Sequence, residues 1–211
     1  MENIEQLVAT LSKDAAPVEP APHPYVLSLK WLSIASVYLI TSLAYSGFRP
    51  DLADALQNPW FTAELALLFV MFITAAFATA VLAFPDMHQK RKIAYGPVWV
   101  VGLFVLVMIF AWRADAPPAP LPMHSFECMM SITLFSLLPS VATFYVLRKL
   151  ASTHQRLSGS IAVLFAFSTG ALWLRLHEQT DSIIHVIEWH YLPILAFSVL
   201  GLWMGKKLLK W

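Results

Sequence analysis

Charge is scarce in this chain: Asp, Glu, Lys and Arg make up 13% of its 211 residues, about half the share of an ordinary soluble domain. Together with 58% hydrophobic residues and a mean hydropathy of +0.64, that scarcity excludes a soluble globular domain and indicates an integral membrane protein. Cysteine is scarcer still. Cys128 stands alone, so no disulfide can close within the chain. A basic n-region followed by an apolar core and a small-residue cleavage site is absent, and the first residues are expected to remain on the mature protein. No C-x-x-C or H-E-x-x-H spacing occurs, and no internal repeat suggests a duplicated half. No Asp, Lys, Arg or His falls at the middle of an apolar run. Ion-coupled transporters and proton relays place ionisable groups there in spite of their cost, so transport is disfavoured.

What the chain does have is length of apolar sequence. Six stretches approach the roughly 20 residues that a spanning helix needs: 27–47, 61–84, 94–112, 126–147, 160–176 and 191–205. The expected fold is an all-α integral membrane domain of six spans over residues 25–211. Lys and Arg divide unevenly between its two sides. Lys13, Lys30, Lys90, Arg91, Lys92, Arg148, Lys149, Arg156, Lys206, Lys207 and Lys210 fall on one side, and Arg49, Arg113 and Arg175 on the other. The positive-inside rule then places both termini in the cytoplasm. Trp31, Trp60 and Tyr191 are among the aromatic residues near helix ends, where interfacial anchors sit. Gly201-x-x-x-Gly205 permits close approach of another helix, and Glu64, about a turn from the outer interface, can reach headgroups.

Residues 1–24 differ from the rest. Ile4, Leu7, Val8 and Leu11 recur at the spacing that puts four apolar side chains on one helix face. Asn3 and Gln6 have the form of a capping box, and Pro17, Pro20, Pro22 and Pro24 predict an extended spacer. The tail carries Glu2, Glu5, Asp14 and Glu19 against Lys13, a net charge of −3, which favours a basic partner. A membrane-surface helix would instead carry Lys and Arg on its polar face. Isolated helices this short are marginal in water, so the tail is expected to fold on a partner, with membrane lipid contacting the rest of the chain.

One other place gathers reactive groups, the outer edge of the last three spans. His124 and Cys128 are four apart at the start of the fourth span. The fifth ends with His177 and Glu178, followed by Asp181, His185, Glu188 and His190. His177, Asp181 and His185 share a face if the connection is helical. Imidazole, carboxylate and thiolate in this density can hold Zn²⁺ or Cu²⁺, and two histidines from different helices can ligate a haem. A small membrane metal- or haem-binding redox subunit is therefore the alternative reading. Ordinary interfacial polar residues are the plainer account of the same set.

The order of these features resembles the NrsF family of bacterial inner-membrane anti-sigma factors. The resemblance rests on Leu7-Val-Ala-Thr-Leu-Ser-Lys-Asp-Ala-Ala-Pro-Val18, on Gly47-Phe-Arg-Pro-Asp-Leu52, on Glu127-Cys128 and on Gly205-Lys-Lys-Leu-Leu-Lys-Trp211. It implies a regulator rather than an enzyme, one that holds an extracytoplasmic-function sigma factor at the membrane until a stress reaches the outer face, with no direct contact to nucleic acid. By position it makes Ile4, Leu7, Val8, Leu11 and Asp14 the sigma-binding element. It also makes Cys128 the first of a pair of cysteines implicated in sensing, alongside His124, His177, Glu178, Asp181 and His185 as sensor candidates. Where the family carries its second cysteine, this chain has Glu178. Sensing by an internal disulfide is therefore impossible here, which leaves metal (Zn or Cu) or an intermolecular thiol.

Overall fold

The computed structural model describes residues 2–14, 21–85, 90–114 and 125–210. The Pro17 and Pro20 part of the spacer, the connection 115–122 and His124 lie outside the described residues, as does the Asp14 side chain.

Helix α1 (Glu2–Asp14) starts one residue before Asn3. Asn3 therefore stands in the first turn and is not the cap that its spacing to Gln6 suggests. The apolar stripe is as expected, and Ile4, Leu7, Val8 and Leu11 are each 57–66% exposed.

The first span, α2 (Pro24–Ser46), begins where proline becomes helix-compatible. Pro24 occupies the first turn, and the His23 side chain accepts a hydrogen bond from the Tyr25 amide. After a short turn of helix, α3 (Leu52–Ala55), the second span α4 (Pro59–Leu82) starts in the same way, with the Asn58 side chain capping the Trp60 amide. The remaining spans are α5 (Arg91–Ala114), α6 (Ser125–Leu147) and α7 (Gln155–His177). The sixth passes from α8 (Ile183–His185) through a π-helical turn (Val186–Tyr191) into α9 (Leu192–Leu208). All six are long and apolar enough to cross a membrane. No strand occurs among the described residues.

Burial assigns their positions. α7 is the central helix, buried continuously from Ile161 to Leu172, and α4, α6 and α9 pack against it. The outward faces are apolar, with Ile34, Val37, Ile40, Trp99, Phe110, Leu134, Val141 and Trp203 all exposed. An apolar exterior around a core that contains Arg, Glu, His, Ser and Thr is the arrangement expected of a bundle whose solvent is lipid.

The α7–α9 crossing shows why glycine is needed there. A Cβ on Gly159 would lie 2.5 Å from the Gly205 Cα, and one on Gly201 would lie 2.8 Å from the Gly159 carbonyl oxygen. The Gly201-x-x-x-Gly205 pattern thus does meet a small-residue surface, and the two backbones come into contact.

The bundle has a proximal end, where α1 leads into α2, and a distal end, where α2 terminates. Proximally, Lys90, Lys149 and Lys207 sit 4.1–4.3 Å from the ring centroids of Tyr25, Tyr145 and Trp203. Ser152 closes the α6–α7 turn by donating to the Leu82 carbonyl at 2.7 Å. The reactive side chains are distal.

Candidate functional site

Two adjoining constellations occupy the distal end, where sequence spacing alone suggests one. The first is a clamp between α2 and α7. Gly47, at φ +85°, turns the chain out of α2 in a backbone conformation that glycine tolerates. The following loop then docks on the end of α7. The Arg49 amide donates to the Leu176 carbonyl at 2.9 Å, His177 Nδ1 lies 2.9 Å from the Gly47 carbonyl oxygen, and the Trp173 indole donates to Ser46 Oγ at 3.1 Å. The buried Arg49 guanidinium is forked between two carboxylates. It reaches Asp51 at 2.8 Å and 2.8 Å and Asp181 at 3.0 Å and 2.8 Å. Hydrogen bonds to Asp51 and then Asp181 raise the Arg49 pKa above its ordinary value against the opposing effect of burial. The bond from Arg49 holds Asp51 well below the usual carboxylate range.

Beneath the clamp lies an ion pair that the sequence did not disclose. Arg175, two residues before the end of α7, donates to Glu64 of α4 at 2.6 Å and 3.0 Å. It also donates to the Thr180 carbonyl at 2.6 Å. Glu64 accepts a further hydrogen bond from the Tyr191 hydroxyl. Glu64 and Arg175 are each 3% exposed, so Glu64 does not reach headgroups as its place near a span end suggests, and Tyr191 is a buried partner and not an interfacial anchor. Trp31 is likewise buried in the core. The Arg49 and Arg175 guanidiniums lie 5.1 Å and 4.9 Å from the Phe61 ring centroid, which joins the pair to the clamp.

The second constellation centres on Cys128. Its thiol stands 3.3 Å from both oxygens of Glu178, and Glu178 also accepts from the Thr180 hydroxyl at 2.7 Å. The position at which the resemblance puts the second cysteine is thus in contact with the first, across the α6–α7 interface. His185 and His190 complete the group. One donor atom from each of Cys128, His185 and His190 lies within 4.8 Å of the others, and all three residues are buried. An open pocket of about 390 Å³ reaches Cys128 and Glu178 past Glu127, His177 and Gln179.

The five described sensor candidates therefore separate. Cys128, Glu178 and His185 come together, whereas His177 and Asp181 belong to the clamp. The common face proposed for His177, Asp181 and His185 does not form, because 178–182 is not helical. His190, named in the outer group but not among the sensor candidates, joins the cluster for a geometric reason. Five residues from His185, it would lie about 140° away around an α-helix, but an i→i+5 turn returns it to the same side. One sequence feature points to that turn: Pro193 has no amide to donate to the residue-189 carbonyl.

A relative named "Anti-sigma-F factor NrsF" from Caulobacter vibrioides (strain NA1000 / CB15N) is 24% identical over 216 residues, covering 98% of this chain and 99% of the relative. No solved structure matches. Residues 11–211 match the family described as "Negative regulator of sigma F", and the chain accordingly belongs to the NrsF family of anti-sigma regulators.

Proposed function

We propose that this protein sequesters an extracytoplasmic-function sigma factor at the bacterial inner membrane. It does so through α1, and releases the factor when a stress, metal or redox signal reaches the outer face. Both termini are cytoplasmic in this reading, and the distal end is the outer face. Lys and Arg collect at the proximal end, as the positive-inside rule requires of a cytoplasmic side. The observation that carries the reading is the α1 face. Ile4, Leu7, Val8 and Leu11 are more than half exposed on a 13-residue helix, on a chain of an anti-sigma family. Such a helix gains stability by laying its apolar face in a partner's groove, and its acidic flanks, with Asp14, suit a basic surface.

The six-span domain supplies the anchor and the sensor. The Arg49 clamp fixes the far end of α2 to α7, and the near end of α2 begins at Pro24, the last proline of the spacer. A displacement of α7 at the outer face is thereby passed to the span from which the tail emerges. The test is co-purification of a soluble sigma factor with the full-length protein from detergent-solubilised membranes. Wild type should retain it and Leu7→Asp/Leu11→Asp should lose it; equal retention by both would refute the assignment.

A further inference from the structure

Burial and hydrogen bonding at His185 and His190 are in conflict. Both side chains are completely buried, and none of their four ring nitrogens has a hydrogen-bond partner among the described residues. Leaving one buried polar group without a partner costs about 1–3 kcal/mol, and here the cost falls on two rings in a single cluster. The rings stand edge to face, 5.2 Å between centroids, so they do not satisfy one another. The third member of the cluster, Cys128, comes from a different span. Two imidazoles and a thiol, converging from two helices within 4.8 Å, are donors for a cation.

We propose that Cys128, His185 and His190 form a buried metal centre for a d¹⁰ cation, Zn²⁺ or Cu⁺. Thiolate and imidazole are donors that these borderline and soft ions prefer, and that Mg²⁺ and Ca²⁺ do not. Charge narrows the coordination. Cu⁺ with one thiolate and two imidazoles is neutral with three donors. Zn²⁺ becomes neutral with a fourth, and the Glu178 carboxylate is 3.3 Å from the Cys128 sulfur. Binding forms one metal–sulfur and two metal–nitrogen bonds and breaks the S–H bond, and the thiol proton passes by way of the adjacent Glu178 to water in the open pocket, leaving Glu178 as a carboxylate. The pocket above Cys128 gives access from the distal surface.

Donors bound at the usual 2.0–2.3 Å around one ion stand about 3.5 Å apart. Binding therefore draws the π-helical turn toward α6. Tyr191 is the next residue after His190 and donates to Glu64, the partner of Arg175, so the movement acts directly on the ion pair under the clamp. The centre names the input of the anti-sigma reading and rests on that reading for its regulatory role alone; metal binding is measured without a sigma factor.

The test uses full-length protein in detergent, stripped by chelator and titrated anaerobically with Zn²⁺, with Cu⁺, and with Co²⁺ as a spectroscopic substitute for zinc. About one ion per chain should bind, and Co²⁺ should develop a thiolate-to-metal charge-transfer band. Cys128→Ser and His190→Gln should each weaken binding more than about 100-fold, beyond the effect of removing an outer-shell contact, while His177→Gln leaves it unchanged. Glu178→Gln separates the two ions, weakening Zn²⁺ and sparing Cu⁺. Absence of a thiolate-to-metal charge-transfer band in wild type with both Co²⁺ and Cu⁺, or affinity indifferent to Cys128→Ser and His190→Gln, would overturn the proposal. The wild-type spectrum decides even if the variants do not fold. Loss of the sigma interaction would leave these results unaltered.

Discussion

Replacing Glu64 by leucine removes the carboxylate from a buried ion pair and leaves its partner in place. Arg175 then keeps the Thr180 carbonyl at 2.6 Å and a distant Asp181 at 3.9 Å, but loses both short bonds to Glu64. Stranding one charge of a buried pair costs about 3–5 kcal/mol, and the Tyr191 hydroxyl, which loses its acceptor, adds about 1–3 kcal/mol. The double variant Glu64→Leu/Arg175→Met removes both charges and should recover at least half of that loss, since replacing a whole buried pair by apolar side chains is often near neutral. The assay is unfolding in mixed micelles, followed by tryptophan fluorescence, for wild type, both single variants and the double variant. Strong coupling between the two positions is expected. Single-variant losses below about 1 kcal/mol, typical of an exposed pair, or a double variant as unstable as the sum of the singles, would refute the buried-pair account.

Gly159→Ala places a Cβ against the Gly205 backbone, where no side chain can move aside. Although alanine gains up to about 1 kcal/mol of helix propensity over glycine, the same unfolding assay should register a net loss of about 1–3 kcal/mol from overpacking. The Arg49–Asp51 pair of the clamp should be indifferent to pH above the ordinary carboxyl range. Because Asp51 is held below the usual carboxylate range, its contribution is complete above the ordinary carboxyl pKa and is lost as pH falls through the lower folded value. The increase in protease cleavage of loop 47–58 caused by Asp51→Asn should therefore be the same at every pH above about 5, and Arg49→Ala should raise cleavage further.

Six spans were legible because an apolar run near 20 residues has few alternative fates, although α2 and α4 start at Pro24 and Pro59, before the expected 27 and 61, because a proline fits the first turn of a helix. Gly201 and Gly205 were legible for the same local reason, since a four-residue glycine spacing has a geometric meaning before any partner is known. The site was half legible. Cys128 and Glu178 were placed opposite each other by the family resemblance and stand in contact. Glu64, Arg175 and Tyr191 lie on three different spans, and their pairing depends on tertiary geometry that no local spacing encodes. His190 was legible as a member of the outer group, but its pairing with His185 depends on the π-helical turn, which α-helical periodicity does not give; His177 and Asp181 were grouped with His185 by extending a helix through 178–182.

Amide hydrogen exchange on the full-length protein, with and without its sigma factor, tests the central claim most directly. Residues 4–11 of free α1 should exchange rapidly, as expected of a short helix with an exposed apolar face, and should become strongly protected in the complex. Burying Leu7 and Leu11 at about 1.5 kcal/mol each makes Leu7→Asp/Leu11→Asp weaken the complex by more than about 100-fold, so that protection should vanish with it. Protection confined to the spans or their loops, with α1 exchanging at the same rate in both states, would contradict the account.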